Sequence, residues 1–162
     1  MRGITIFVKL KDLFVNNTYR MLQIPKRLTN SIDGDLVRKK LIYYNSKATH
    51  HFFFGDEPAI GLFNAYKEIA LQNNHEYFGV VELNAHNNHI LNRLKLLIES
   101  VPPSPGQGAQ NAIQWMEDMH PNCWMAWKKA TFYLAGPQEL IAAFREYLLQ
   151  KEVSEAQIRI TN

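Results

Sequence analysis

HHFFFGDEPAIG, residues 50–61, divides into three parts that together specify an α/β unit. His50 to Phe54 carries three consecutive Phe and no Gly or Pro, which suits a strand buried on both faces of a parallel sheet. Gly55, Asp56 and Glu57 then break the apolar run. Pro58 stands where a first helical turn accepts a proline, and Leu62 to Ala70 continues with amphipathic spacing. A strand followed by a glycine turn and a helix N-terminus leaves unpaired N–H groups beyond the strand's carboxyl end, where open α/β sheets hold ligands. The functional turn is therefore expected at Gly55 to Glu57.

Outward from this unit the same alternation repeats. Tyr77 to Leu83 (YFGVVEL) reads as a second strand, followed by a polar turn at Asn84 to Asn88 and a short helical turn through Ile90, Leu91 and Leu94. Leu96 to Val101 predicts a third strand, stopped by Pro102 and Pro103, after which Ser104-Pro105-Gly106-Gln107-Gly108 is too rich in Pro and Gly to be regular. A helix is expected over Gln110 to Met119, an aromatic connector over Pro121 to Lys129, and a fourth strand over Thr131 to Ala135. Gly136-Pro137 then leads into a helix through Ile141, Phe144, Tyr147 and Leu148, and Gln157 to Thr161 makes a fifth strand. This order predicts a doubly wound parallel five-stranded sheet, 3-2-1-4-5, whose switch point between the first and fourth strands sets the Gly55 and Gly136 turns side by side.

Residues 1–49 do not join this pattern. Ile4 to Leu10 and Leu36 to Tyr44 could be strands, with loop over Pro25 to Asp35, an incomplete β segment preceding an α/β domain over residues 50–162. The charge is divided in the same way. Residues 1–49 carry ten lysines and arginines against three aspartates, a net +7, whereas residues 50–162 carry eight basic and twelve acidic residues, a net −4. Arg38, Lys39 and Lys40 lack interleaved aromatics and no nucleic-acid motif occurs, so a solvated or partner-facing segment is expected rather than a nucleic-acid arm.

The composition, 46% hydrophobic and 20% charged, is that of a water-soluble globular domain. No apolar run approaches the roughly 18 residues of a membrane span. Cys123 is the sole cysteine, which excludes an intramolecular disulfide and makes a reducing, cytoplasmic compartment the expectation.

The turns after the strands supply the candidate ligand contacts. At Gly55, Asp56 and Glu57 two readings stand: the acids favour a helix N-terminus through its dipole, or the turn approaches a nucleotide. Two carboxylates suit a phosphate poorly, so a pyrophosphate is expected elsewhere and a nicotinamide near this turn. The G-x-G-x-x-G fingerprint is absent. Glu82, ending the second strand, stands where an acid accepts hydrogen bonds from a ribose diol; its charge repels a 2′-phosphate, so NADH is expected over NADPH. Ser104, Gly106 and Gly108, with Gly136 and Pro137, complete a rim of three glycine turns. His86 and His89, like the His50-His51 pair, lack a third ligand at metal spacing. Ser104 has no G-x-S-x-G context, and Trp115, Trp124, Trp127 and Tyr133 are expected as core and interface.

Phe52 to Phe63 (FFFGDEPAIGLF), Tyr77 to Leu83, Ser104 to Gly108, and Thr131 to Gly136 (TFYLAG) with Phe144 to Leu148 (FREYL) resemble the C-terminal half of siderophore-interacting proteins. These are flavin-dependent ferric-siderophore reductases of the ferredoxin–NADP reductase superfamily. The resemblance, over about residues 50–161, implies an NAD(P)H-binding domain that works beside an FAD-binding β-barrel, passing hydride to flavin and single electrons to the ferric siderophore. It implies Gly55, Asp56, Glu57 and Gly136 at the nicotinamide end, with Glu82 and Ser104 to Gly108 toward the adenosine. The chain departs from the family in its first 49 residues, which are fewer than such a barrel needs. The flavin motif Arg-x-Tyr-Ser/Thr does not occur, Tyr43-Tyr44-Asn45-Ser46 lacking the arginine. FAD binding by this chain alone is not expected. The expectation is the nucleotide half of a reductase that needs a flavin barrel in trans, with a non-catalytic interaction module or degraded remnant as the alternative.

Overall fold

The structure, a computed structural model, describes residues 41–161. Its centre is a five-stranded, all-parallel sheet ordered β3-β2-β1-β4-β5. The strands are β1 (His50–Asp56), β2 (Glu76–Glu82), β3 (Glu99–Val101), β4 (Thr131–Ala135) and β5 (Ile158–Ile160). From β1 the chain winds outward to β3, then returns to the other side of β1 to build β4 and β5, so the order reverses between β1 and β4. The expected topology is the one observed. Among the described residues five helices cover the sheet: α1 (Ile60–Gln72), α2 (His89–Leu94), α3 (Gln110–Glu117), α4 (Pro121–Trp127) and α5 (Gln138–Gln150).

The three phenylalanines of β1 explain the layering, because successive side chains of a strand point to opposite faces. Phe53 packs with Phe63, Tyr66, Val81 and Tyr133 in the layer that holds α1 and α2. Phe52 and Phe54 face the other way, joining Trp127, Phe132, Leu134 and Phe144 in the layer of α3, α4 and α5. Phe54 and Phe144 stack with ring centroids 3.7 Å apart. All three phenylalanines of β1 are fully buried, and each such side chain contributes about 2–3 kcal/mol of transfer free energy. Trp127 and Tyr133 are core, and Trp115 and Trp124 pack against it.

Three elements differ from expectation. The third strand is confined to Glu99–Val101, paired with Val80, Val81 and Glu82. Lys95 turns the chain in the left-handed region (φ 51°), and the Leu96 N–H donates to Leu91 O at 2.9 Å, so Leu96 is held against the end of α2. Leu96 and Ile98 serve the core without joining the ladder. The aromatic connector is a helix, α4, started by Pro121 and capped by His120 Nδ1, which accepts from the Asn122 N–H; Cys123 and Trp127, four residues apart, point inward together. The fifth strand is shorter than expected, because Gln157 ends a 3₁₀ turn that begins at Glu155.

The N-terminal expectations over Ile4 to Leu10, Pro25 to Asp35 and residues 36–40 lie outside the described residues. The described part of the strand expected to end at Tyr44 is instead a turn, closed by the Tyr44 N–H on Leu41 O. The next residues dock on the sheet. Asn45 donates from its backbone N–H to the Tyr133 hydroxyl (2.8 Å) and from Nδ2 to Thr131 Oγ1 (3.1 Å), contacts that cross the boundary expected after residue 49. Tyr44 stacks on His51, which is fully buried. Burial, with His75 beside it, pushes the His51 imidazole down to about 4. Among the described residues no helix is long and apolar enough to cross a membrane.

Candidate functional site

The carboxyl ends of β1, β2 and β4 and the loop after β3 enclose a cleft of about 320 Å³. Of the nine residues singled out from the sequence, Asp56, Glu57, Glu82, Ser104, Gly106, Gly108 and Pro137 line it. Gly55 and Gly136 stand behind the wall. Gly55 is not a turn residue: it lies inside β1, paired with Val81 and Ala135, and the turn starts two residues later, at Glu57. Its glycine identity comes from close approach, since a Cβ there would sit 2.3 Å from the Ala135 carbonyl oxygen. Gly136 follows β4, and a Cβ at that position would lie 3.2 Å from Asp56 Oδ1.

Each acid at the cleft has a different partner. Asp56 ends β1 with Oδ1 buried and without a hydrogen bond. Burial is the main cause that raises its carboxyl above the usual aspartate range, against the pull of the Asp56 and Ala59 N–H groups. Glu57 opens the 3₁₀ turn before α1, and Asn87 Nδ2 donates to both its oxygens at 2.9 Å, tying the β1 turn to the β2 turn. Glu82 is 6% exposed and is held by one residue: the Ser104 N–H donates to Oε2 (3.0 Å) and the Ser104 hydroxyl to Oε1 (3.1 Å). Ser104 Oγ in turn accepts from the Asn111 N–H in the first turn of α3 (3.0 Å). The relay Asn111, Ser104, Glu82 thus fastens the loop after β3 to the tip of β2. Glu82 keeps lone pairs beyond the two it has engaged, so it can accept further hydrogen bonds from the cleft side.

Gly106 and Gly108 lie in the left-handed region, φ +69° and +61°, which curls the loop over the cleft; at Gly108 a side chain would also meet the Ala143 Cβ at 2.7 Å. On the opposite wall, Pro137 precedes α5, and Glu139 and Leu140 of its first turn line the cleft. The N–H groups of that turn have no intrahelical partner and carry the positive end of the helix dipole.

Among the described residues the lining combines four carboxylates, Asp56, Glu57, Glu82 and Glu139, with no lysine, arginine or histidine. A free pyrophosphate is repelled by such a lining, whereas a neutral or cationic ring, an amide or a sugar diol is accommodated. Sequence reading missed Asn87, which holds Glu57 from 30 residues away, and Glu139, whose glutamate at a helix start is an ordinary dipole feature with no local sign of a cleft. Among the described residues no three His, Cys, Asp or Glu side chains come together to hold a metal ion. His86 and His89 form a local contact, the His89 ring nitrogen Nδ1 lying 2.9 Å from the His86 carbonyl oxygen.

Comparison of the chain with protein-family models, with curated proteins and with solved structures finds no match in any of the three.

Proposed function

We propose that the cleft holds the nicotinamide riboside end of a pyridine dinucleotide, NADH in preference to NADPH, with the pyrophosphate and adenosine running outward over the loop at Ser104 to Gly108. The observation that carries this reading is the convergence, at the reversal of strand order between β1 and β4, of seven residues chosen from sequence alone. The lining supports the division of the ligand. A nicotinamide ring, uncharged when reduced and cationic when oxidised, suits a carboxylate-rich pocket that rejects phosphate. Its carboxamide has the free N–H groups of the α5 N-terminus as partners. Glu82, held by Ser104 at the base of the loop over which the adenosine runs, disfavours a 2′-phosphate on the adenosine ribose.

In this reading the chain is the pyridine-nucleotide half of a flavin-dependent ferric-siderophore reductase of the siderophore-interacting type, at work in the cytoplasm. The nucleotide supplies the hydride, and the protein binds and orients it. FAD binding is not expected of this chain alone, so in this reading a flavin barrel on a partner chain completes the reductase, and a ferric siderophore is its final acceptor. Calorimetric titration with NADH and NADPH, each with and without FAD, tests the proposal. Saturable NADH binding stronger than that of NADPH is expected; no nicotinamide binding at millimolar ligand sinks it.

One observation favours a second reading. Among the described residues the cleft offers no cationic side chain to a doubly charged cofactor, as fits a non-catalytic interaction module that has lost its ligand. Under that reading the purified chain binds no nicotinamide nucleotide and associates with itself or a partner in light scattering.

A further inference from the structure

At the end of the sheet opposite the cleft, three donor atoms from separate parts of the chain meet in a triangle. Nε2 of His51, in β1, lies 3.0 Å from Nδ1 of His75, in the turn before β2. The Tyr44 hydroxyl lies 2.9 Å from the first nitrogen and 3.2 Å from the second. His51 is fully buried, while Tyr44 and His75 are half-buried.

Hydrogen bonds cannot account for all three edges. An imidazole nitrogen carries either a proton or a lone pair, never both at once, whereas a hydroxyl can donate and accept. In a ring of two such nitrogens and one hydroxyl, therefore, two edges at most can hold a proton. The third is then a van der Waals contact, which the 3.2 Å edge between Tyr44 and His75 allows. A cation that draws on all three lone pairs accounts for every edge. Ligands at about 2.0–2.1 Å from a first-row metal ion stand about 2.9 Å apart in octahedral geometry and about 3.3 Å apart in tetrahedral geometry. The three observed edges fall in that span. The other nitrogen of His51 faces the Tyr133 hydroxyl at 3.2 Å and is hydrogen-bonded to the Ala48 backbone. A carbonyl partner of this kind fixes the tautomer of a ligating imidazole and turns its Nε2 lone pair to the metal.

We propose that His51, His75 and the Tyr44 oxygen, whose proton passes to solvent as the ion binds, form a binding site for a divalent first-row transition-metal ion of the zinc or copper class, which imidazole ligands favour. Its remaining position is open to water. The ion clips residues 41–49 to the starts of β1 and β2, so its binding free energy adds to the stability of that docked segment. The site is independent of the nucleotide cleft.

The test uses the whole chain without an affinity tag, stripped by chelator, titrated with zinc chloride by calorimetry and with cobalt(II) by visible absorption. One equivalent is expected to bind at micromolar concentration and to raise Tm. His75→Ala, at a half-buried turn position, is expected to weaken zinc binding by more than about 100-fold. Tyr44→Phe, which keeps the ring packing, weakens it by about tenfold or more, and His86→Ala leaves it unchanged. Absence of saturable binding at micromolar metal overturns the site. So does unchanged affinity in folded His75→Ala or Tyr44→Phe, since the ion then sits elsewhere.

Discussion

Asp56 carries the least satisfied atom at the cleft. Its Oδ1 is buried with no hydrogen-bond partner, and its carboxyl is shifted upward chiefly by that burial. A carboxyl whose folded pKa exceeds its unfolded one costs stability once it is ionised. The cost is absent below the unfolded pKa and complete above the folded one. Asp56→Asn is therefore expected to raise stability at neutral pH by about 1 kcal/mol, with the gain disappearing as the pH falls below the ordinary aspartate range. Urea unfolding at several pH values measures it; a loss of stability at neutral pH would show that the charge is compensated. The same substitution should weaken nicotinamide binding, the usual trade between a strained site and a stable one. Gly55 poses the opposite case. An alanine there must push β1 from β4, because its Cβ would meet the Ala135 carbonyl at 2.3 Å. Gly55→Ala is expected to cost about 1–3 kcal/mol, read as a lower urea midpoint with an unchanged m-value. From sequence, Gly55 was legible as a special position and misread as a turn, because a lone glycine announces freedom or closeness equally and only the neighbouring strand decides which.

Among the elements, the loop from Pro102 to Ala109 is fastened in part by one hydroxyl, beside the Ser104 N–H bond to Glu82 and the Asn111 side-chain bond to the Pro102 carbonyl. Ser104 Oγ accepts from the α3 terminus and donates to Glu82, which is nearly inaccessible to water. Ser104→Ala leaves the Asn111 N–H and one Glu82 oxygen without that partner, an expected loss of about 1–3 kcal/mol. Hydrogen exchange at Gln107 and Asn111 should rise by more than that at β1; uniform exchange across the chain would mean that the loop is held by something else. The relay shows what an element-level reading reaches. Strand ends, prolines and glycines marked the loop correctly, since they act within a few residues. The pairing of Ser104 with Glu82 across 22 positions follows from the β2–β3 register and has no local trace. Helix α4 was missed for a related reason: its aromatic residues and flanking lysines hide an apolar stripe of only two residues, Cys123 and Trp127.

For the whole molecule, the proposed nucleotide site and the proposed metal site lie at opposite ends of one sheet and give separable responses. NADH at about ten times its Kd should add about 1.4 kcal/mol, a rise in Tm of about 3–6 °C for a domain of this size. A chelator should lower Tm without touching that increment, and a Tm insensitive to NADH at saturating millimolar concentration argues for the non-catalytic reading. The sheet order, the two-layer core and the rim that faces the cleft were all determined by the sequence alone. They rest on period-2 and helical spacing, on prolines and on glycines, signals that act over short stretches and that chain connectivity then multiplies. Tertiary structure alone decided which acids are held and by whom, that Gly55 answers to a neighbouring strand, and that Tyr44, His51 and His75 share one point. Each of these is a contact between residues distant in the chain, and its geometry exists only once the strands have taken their register.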